Sequence, residues 1–241
     1  MNQSVTTVSP KTPEIKKIFS EAWEKNKGFK GSFWAAFLIF MLITIIVYAI
    51  AYDISVMIEG PPNSAEKAGQ LAPVWEFSKL ILSIFVITPL GAGLWALCVK
   101  RSVLAPITYT ELFRYFSYWK TLWGYPVLFG VLNLLSILLL FIPFLGLAIS
   151  LLTLFATIVF IFYIPLAIDK NLKPQQSFLG SWQAVKPNLL TFIGFWLLVF
   201  GISILSALTL GIALIWTLPW IYCAMGILYR DTCGVSTLNT K

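Results

Sequence analysis

Long apolar stretches recur along this chain, and the polar residues gather between them. Six such stretches of about 19–25 residues can be traced, at 31–52, 80–99, 124–142, 144–168, 189–208 and 211–229. A helix rises about 1.5 Å per residue, so each stretch can cross a hydrocarbon core of roughly 30 Å. Backbone N–H and C=O groups find no partner in lipid, and a helix satisfies them internally. The pattern therefore predicts an all-α, polytopic membrane protein with six transmembrane helices.

The connections between the stretches differ in length and predict three helical hairpins. Uncharged connections that contain Pro143 and Gly211 join the third stretch to the fourth and the fifth to the sixth. Helix breakers in such short segments indicate tight turns. The first two stretches are separated by a longer loop, 53–73. Each hairpin is expected to follow a cytoplasmic amphipathic helix that lies at the membrane interface.

Basic residues fall almost entirely on one side of this arrangement. Suppose that both termini lie on the same side as the connection between the second and third stretches and the connection between the fourth and fifth. Of the 17 Lys and Arg residues, only Lys67 and Lys79 then lie on the opposite side. The positive-inside rule then places both termini in the cytoplasm. We expect an N-terminal tail with an amphipathic helix at 1–30, a six-helix membrane domain at 31–230 and a C-terminal tail at 231–241.

Composition removes several classes of function. Hydrophobic residues make up 59% of the chain and charged residues 11%, whereas about a quarter of a soluble domain is charged. The formal net charge is +7, but membrane orientation explains the cations, so no nucleic-acid partner is expected. The chain has no histidine, which excludes histidine-dependent triads and His-rich zinc sites. Its three cysteines lack metal-ligand spacing, and we expect no cofactor and no enzymatic activity.

The segments before the first, third and fifth stretches share one pattern. In each, a helix-capping residue lies eleven positions before a tryptophan, an aromatic residue lies four before it, and a helix breaker lies five after it. The three sets are Thr12, Phe19, Trp23 and Gly28; Thr108, Tyr115, Trp119 and Gly124; and Asn171, Phe178, Trp182 and Pro187. Their apolar spacing predicts amphipathic helices, and Thr108 with Glu111 matches a capping box. We interpret the segments as three copies of one unit, with chance similarity as the alternative.

Tryptophan and lysine side chains in these units form the predicted contact surface. Tryptophan prefers the headgroup region, where its ring is half buried and its N–H stays wet. Lysine is attracted to the anionic cytoplasmic leaflet. The candidate contact residues are Trp23, Trp119, Trp182, Lys25, Lys120 and Lys186. Anchoring is the simpler interpretation; the sharper one is a docking collar for anionic membrane lipids, a protein partner or a second copy of the chain.

The interior of the stretches offers a second candidate site. No Asp, Glu, Lys, Arg or His lies in their central parts, which weakens the hypothesis of an ion-coupled transporter. Pro89 and Gly91 are expected to break the second helix near its middle, and Pro219 the sixth. Such breaks either kink a helix for packing or open a transport site. Asn133 is the only strongly polar side chain at depth, suited to helix packing or to a ligand contact.

The last third of the chain carries a set of short motifs. They are Pro174-Gln175-Gln176-Ser177-Phe178, Lys186-Pro187-Asn188, Pro219 and Tyr229-Arg230-Asp231. With these motifs the chain resembles a group of uncharacterised bacterial six-helix inner-membrane proteins, and also the membrane domain found on some glycerophosphodiester phosphodiesterases. The resemblance implies a bacterial cytoplasmic membrane and no established activity. The hydrolase domain of those phosphodiesterases has no counterpart in this sequence, so their chemistry is not transferred.

Two functional hypotheses follow from the sequence. The first is a non-enzymatic, multi-pass inner-membrane protein that organises lipids or a partner complex through its cytoplasmic collar. The alternative is a small transporter or flippase for an amphiphilic substrate, which would use the interrupted second and sixth helices.

Overall fold

The computed structural model describes residues 11–61, 65–139 and 142–236, with side chains given except at 65–73, 137, 138 and 143. Within these ranges the chain is mostly helical and has no strand. The helices are α1 Ile15–Lys25, α2 Lys30–Glu59, α3 Ala65–Leu82, α4 Thr88–Ser102, α5 Trp119–Leu122, α6 Gly124–Leu138, α7 Pro143–Val159, α8 Tyr163–Asp169, α9 Pro174–Val185, α10 Leu189–Leu208 and α11 Leu214–Cys233. A π-helical turn, Ser83–Ile87, joins α3 to α4, and 3₁₀ turns occupy Tyr109–Phe113, Phe116–Tyr118 and Lys186–Asn188.

Four helical stretches are long and apolar enough to cross a membrane. They are Lys30–Glu59, Val74–Ser102, Phe144–Asp169 and Pro174–Leu208. These stretches account for four of the six predicted spans and give the architecture of a helical membrane protein. The third predicted span, 124–142, coincides with a shorter apolar helix, Gly124–Ser136. The sixth coincides with α11, which is 20 residues long but ends in a charged turn.

The core of the molecule is concentrated in what we call the packed region, residues 11–37, 88–123, 159–199 and 219–236. All the largest fully buried side chains belong to it: Tyr163, Tyr229, Phe29, Phe33, Lys100, Phe162, Phe192, Phe195, Ile18, Leu90, Leu97 and Leu112. We call residues 38–61, 74–87, 124–136, 144–158 and 200–218 the exposed apolar region. Its large hydrophobic side chains are mostly uncovered by protein, such as Met57 at 85% and Leu210 at 94% exposed.

Two glycines allow backbones to touch inside the packed region. A Cβ atom added at Gly226 of α11 would lie 2.1 Å from the Cys98 carbonyl oxygen of α4. A Cβ at Gly93 of α4 would lie 2.5 Å from the Leu112 Cα. Both distances are far below van der Waals contact, so only glycine permits this approach. The α4–α11 contact therefore depends on a missing side chain rather than on a large one.

The helix breaks differ from those predicted. Proline removes its own N–H and clashes with the carbonyl four residues earlier. Before Pro89 the chain forms the π-helical turn, in which the Thr88 amide donates to the Ser83 carbonyl. Before Pro165 the α7–α8 helix is interrupted at 160–162. The second stretch is thus distorted before Pro89 but not broken as predicted, because one helix runs from Val74 to Ser102 and Gly91 lies within it.

The expected break at Pro219 is wrong, because α11 continues through this residue. The carbonyl that Pro219 deprives of its usual donor belongs to Ile215. The Trp34 indole N–H of α2 donates to that oxygen at 3.1 Å. A donor from another helix therefore replaces the missing hydrogen bond, and the helix need not break.

The three predicted amphipathic units have different structures. The first is the helix α1, but it begins at Ile15 after Glu14 rather than being capped by Thr12. The third is α9, which begins at Pro174, after the expected cap Asn171. The second is not a regular helix but two 3₁₀ turns followed by α5. The breakers Gly28, Gly124 and Pro187 do mark the junctions with α2, α6 and α10, as predicted.

The capping box predicted for the second unit is wrong. Thr108 does precede the turn, but its hydroxyl contacts the Thr110 hydroxyl at 2.9 Å instead of a backbone amide. Glu111 points to Lys100 of α4, with 2.9 Å between carboxylate and ammonium. A buried cation outcompetes the local amide for this carboxylate, because a charge-assisted contact is the stronger one.

Candidate functional site

The end of α11 is bound to α1 by a two-pronged ion pair. The Arg230 guanidinium donates to both Glu21 carboxylate oxygens, at 2.5 and 2.8 Å. The Lys25 ammonium lies 2.8 Å from the same carboxylate. Chiefly through its hydrogen bonds to Arg230, the pKa of Glu21 is lowered to about 2. This paired geometry makes Glu21 a fixed anion that attaches the amphipathic helix to the rest of the molecule.

Cations also cover the C-terminal end of α4. Arg230 Nη1 donates to the Ser102 carbonyl at 2.9 Å, and the Lys25 ammonium donates to the same oxygen. Arg101 Nε donates to the Lys25 carbonyl at 2.6 Å, and its Nη2 donates to the Lys27 carbonyl. The last carbonyls of a helix carry partial negative charge, which positive side chains offset. The segment 25–27 is thereby held against α4.

Two further acidic side chains connect loops to the C-terminal ends of α4 and α11. Lys100 is 2% exposed and pairs with Glu111, which also lies 3.3 Å from Arg114. Asp169 is fully buried and accepts from the Tyr229 hydroxyl at 2.9 Å and from the Ser236 amide at 3.2 Å. The N-terminal segment, the α4–α6 connection, the α8–α9 connection and the C-terminal segment therefore meet in one network. These are the four segments that the charge pattern assigned to one side.

The six predicted collar residues lie in this part of the molecule, but they make different contacts. Trp23 is 59% exposed and packs edge-to-face on Trp220, with ring centroids 5.5 Å apart. Trp119 is exposed and Trp182 is half-buried. Lys120 lies against the Trp119 ring and Lys186 against the Trp182 ring. Lys25, the lysine of the first unit, is instead paired with Glu21.

The second and third units share a lysine–tryptophan contact. The Lys120 ammonium lies 5.7 Å from the Trp119 ring centre, and the Lys186 ammonium lies 5.9 Å from that of Trp182. Neither ammonium has a carboxylate within 4 Å in the described part of the chain. A cation over an aromatic face gains only modest energy at an exposed site. Both lysines therefore keep a charge that an anion can neutralise.

A similar contact occurs in the exposed apolar region, with one difference. The Lys79 ammonium lies 5.8 Å from the Trp75 ring centre, but Glu76 pairs with it at 2.6 Å. This lysine is already neutralised within the chain, which distinguishes it from Lys120 and Lys186.

The predicted helix-break residues do not form one polar site. Pro89 and Pro219 are buried in the contacting helices α4 and α11. A Cβ at Gly91 would meet no atom within 4 Å. Asn133 is exposed on α6, and its amide donates to the Phe129 carbonyl of its own helix at 2.8 Å. In this structure Asn133 thus satisfies its donor locally rather than across a helix interface.

A cleft at the α1–α2 junction was not foreseen. It has a volume of about 210 Å³ and is lined by Trp23, Asn26, Lys27, Gly28 and Lys30. Asn26 is 3% exposed, and its Oδ1 atom has no hydrogen-bond partner. In the sequence these residues form a polar linker with a glycine, and nothing in that pattern shows that the asparagine is buried. Its burial follows from the packing of α1 on α4 and α11.

Within residues 11–61, 65–139 and 142–236, no group of three His, Cys, Asp or Glu side chains is placed to hold a metal ion. No protein-family model matches the chain, and no curated protein or solved structure matches it. The resemblance to the membrane domain of glycerophosphodiester phosphodiesterases therefore stays a prediction.

Proposed function

We propose that this protein is a multi-pass protein of a bacterial inner membrane with six spans and both termini in the cytoplasm. Four stretches have the length and apolarity for spanning, and α6 and α11 supply the other two. All Lys and Arg residues whose side chains are described, except Lys79, lie in the packed region, which supports orienting that region toward the cytoplasm. A reporter enzyme that works only in the cytoplasm should then be active when it is fused after Lys241. Periplasmic activity would contradict the orientation.

The function that the geometry supports best is non-enzymatic organisation of anionic lipids around the packed region. The observation that carries it is the pair of lysines, Lys120 and Lys186: each lies on a tryptophan ring, and neither has a carboxylate of the described residues within 4 Å. An ammonium beside an interfacial ring is suited to a lipid phosphate, because the ring sits at headgroup depth. A protein partner with an acidic surface is the competing outcome.

The matched test compares these lysines with the neutralised one. Detergent-extracted protein is incubated with phosphatidylglycerol or phosphatidylcholine, and retained lipid is counted by native mass spectrometry. The variant K120Q/K186Q should retain roughly 30-fold less phosphatidylglycerol, since two surface cations are lost. K79Q should retain as much as the unaltered protein. Equal loss in K79Q, or none in the double variant, would reject the collar.

Crosslinking in cells separates lipid from protein as the ligand. A photoreactive residue is placed at Trp23, Trp119 or Trp182, all at the surface of the packed region. Lipid adducts without a recurrent protein band support lipid organisation. One protein captured from all three positions would instead assign the collar to a partner complex.

A lipid flippase or small amphiphile transporter is the second candidate, and the π-helical turn favours it. Such turns often occur at functional sites because they leave carbonyl groups without regular partners. This one, Ser83–Ile87, ends two residues before Pro89 in an apolar stretch. Reconstituted protein should then move a fluorescent lipid between leaflets, and P89A should slow the movement severalfold. P219A should not slow this movement, because α11 is unbroken. A folded P89A protein with full activity would reject this role.

A further inference from the structure

We infer that the exposed face of α6 around Asn133 is an interface between two copies of this chain in the membrane, joined by a pair of amide hydrogen bonds. Asn133 is exposed on this face, and so are the side chains of Val131, Leu134 and Leu135. The interface rests on the proposed topology, in which α6 is one of six spans, and it does not require lipid binding by the collar.

Asn133 lies at a depth where an amide is costly to expose. It is nine positions after Gly124, where α6 begins, and therefore about 14 Å along the helix. Because the hydrocarbon core is roughly 30 Å thick, Asn133 lies near its middle. The sequence has no Asp, Glu, Lys or Arg at 121–168, so no charged side chain of α6 or α7 draws water to this depth.

The hydrogen bond within α6 uses only part of the Asn133 amide. A side-chain amide has two N–H donors and one carbonyl acceptor. One N–H donates to the Phe129 carbonyl at 2.8 Å. The described residues supply neither a donor to Oδ1 nor an acceptor for the second N–H. Polar groups without partners are unfavourable in lipid, so a group from outside the chain is favoured beside them.

A second copy of the chain supplies the complementary group at the required depth. The same charge pattern orients every copy alike, so Asn133 of each copy lies at one level in the membrane. A two-fold axis along the membrane normal then brings this residue of the two copies together. Because an amide both donates and accepts, the two side chains can form reciprocal hydrogen bonds.

The surroundings of Asn133 allow such an approach. Val131 is 48% exposed and Leu134 is 39% exposed, so apolar side chains flank the amide and can pack across the interface. α6 is also short for a span, with 15 residues and a length of about 22 Å. A span shorter than the hydrocarbon thickness is accommodated by thinning of the bilayer or by association with other helices.

Ser150 on α7 offers a matched contrast. Its side chain is exposed, but its hydroxyl donates its one proton to the Gly146 carbonyl at 2.9 Å. A serine therefore has no second donor to offer, whereas Asn133 keeps one. If exposed polarity alone drove association, the two residues would contribute alike.

Energy transfer between labelled copies measures the association. Donor and acceptor fluorescent proteins are fused after Lys241, and the protein is reconstituted in phosphatidylcholine vesicles, which contain no anionic lipid for the collar. N133L should need a roughly 10-fold higher protein-to-lipid ratio for half-maximal transfer. N133Q, which keeps an amide, and S150A should associate nearly as well as the unaltered protein. Unchanged association in N133L, or an equal loss in S150A, would overturn the interface.

Crosslinking in cells identifies what lies against this face. A photoreactive residue at Leu134 should yield a product with the mass of two chains. The same residue at Leu42, which is exposed on α2, should not yield that product. A different protein captured from position 134 would overturn the assignment to a second copy, and so would equal dimer yields from both positions.

Thiol labelling separates a failure of the interface from a failure of the proposed topology. A membrane-impermeant reagent should modify N133C no more than the unaltered protein, whose three cysteines set the background, in intact cells and in inverted vesicles. Extra labelling would place position 133 in water and contradict both the α6 span and the interface. No extra labelling together with absent energy transfer would overturn the interface alone. An unchanged unfolding free energy of N133L in dilute mixed micelles verifies that this variant is folded.

Discussion

The packed region and the exposed apolar region are both built from apolar helices, yet they are stabilised in different ways. In the packed region, backbones touch at Gly93 and Gly226, and charged side chains such as Lys100 and Asp169 are buried against partners. In the exposed apolar region, large side chains such as Met57 and Leu210 contact little protein. The comparison teaches that hydrophobicity alone does not locate the core. The core lies where backbones pack closely and charged groups are paired, and the proposed membrane covers the exposed apolar region.

The largest expected effect comes from filling the α4–α11 contact. Gly226→Ala places a methyl group against the Cys98 carbonyl, so the helices must separate. Overpacking of this kind costs about 3 kcal/mol or prevents folding. Gly201→Ala is the control in the exposed apolar region, where a Cβ meets no atom within 4 Å. It should keep or slightly raise stability, since alanine favours helix. The free energies of unfolding of the two variants are measured in mixed micelles. A Gly226→Ala protein as stable as the unaltered one would refute the contact.

The next effect concerns the ion pair between α1 and α11. Arg230→Gln removes two charge-assisted hydrogen bonds to Glu21 and should lower the free energy of unfolding by about 2 kcal/mol. Glu21→Gln should cost less, because Arg230 keeps its bonds to Asp231 and the Ser102 carbonyl. In the double variant the two losses should not add. Additive losses would show that the two residues do not act as a pair.

An exposed ion pair on the same helix provides the contrast. Glu14 and Lys17 lie 2.7 Å apart, but both side chains are mostly in water. Surface pairs contribute between about 0 and 1 kcal/mol. Glu14→Gln should therefore leave the unfolding free energy almost unchanged, measured under the same conditions.

The ion pair also predicts a dependence on pH. Folding lowers the pKa of Glu21 from 4.5 to about 2, so the folded protein binds this proton less readily than the unfolded chain does. The stabilisation from Glu21 is fully present above pH 4.5 and is lost as the pH falls toward about 2. The stability difference between the unaltered protein and Glu21→Gln should be constant from pH 8 to about 5 and then shrink. A difference that changes between pH 8 and 6 would point to another group.

The sequence predicted much of the fold and little of the candidate cleft. Apolar length identified the long helices, and the breakers Gly28, Gly124 and Pro187 marked where the next helices begin. Local rules failed where a distant residue intervened. The Glu111 side chain turned to Lys100 instead of capping its own helix. Asn26 reads as a linker residue, because its burial depends on helices far away in the chain.

The smallest effect tests the most instructive of these failures, the unbroken helix at Pro219. Trp34, in the packed region, donates to Ile215, which belongs to the exposed apolar region, so this hydrogen bond crosses the boundary between the two. Trp34→Phe keeps the ring but loses the donor, and should cost about 1 kcal/mol in unfolding free energy. In a Pro219→Ala background the alanine amide can bond to the Ile215 carbonyl within α11. The cost of Trp34→Phe should then fall, and the difference is the coupling energy of the cycle. An equal cost in both backgrounds would mean that Trp34 stabilises the protein by packing alone, and that the continuity of α11 has another cause.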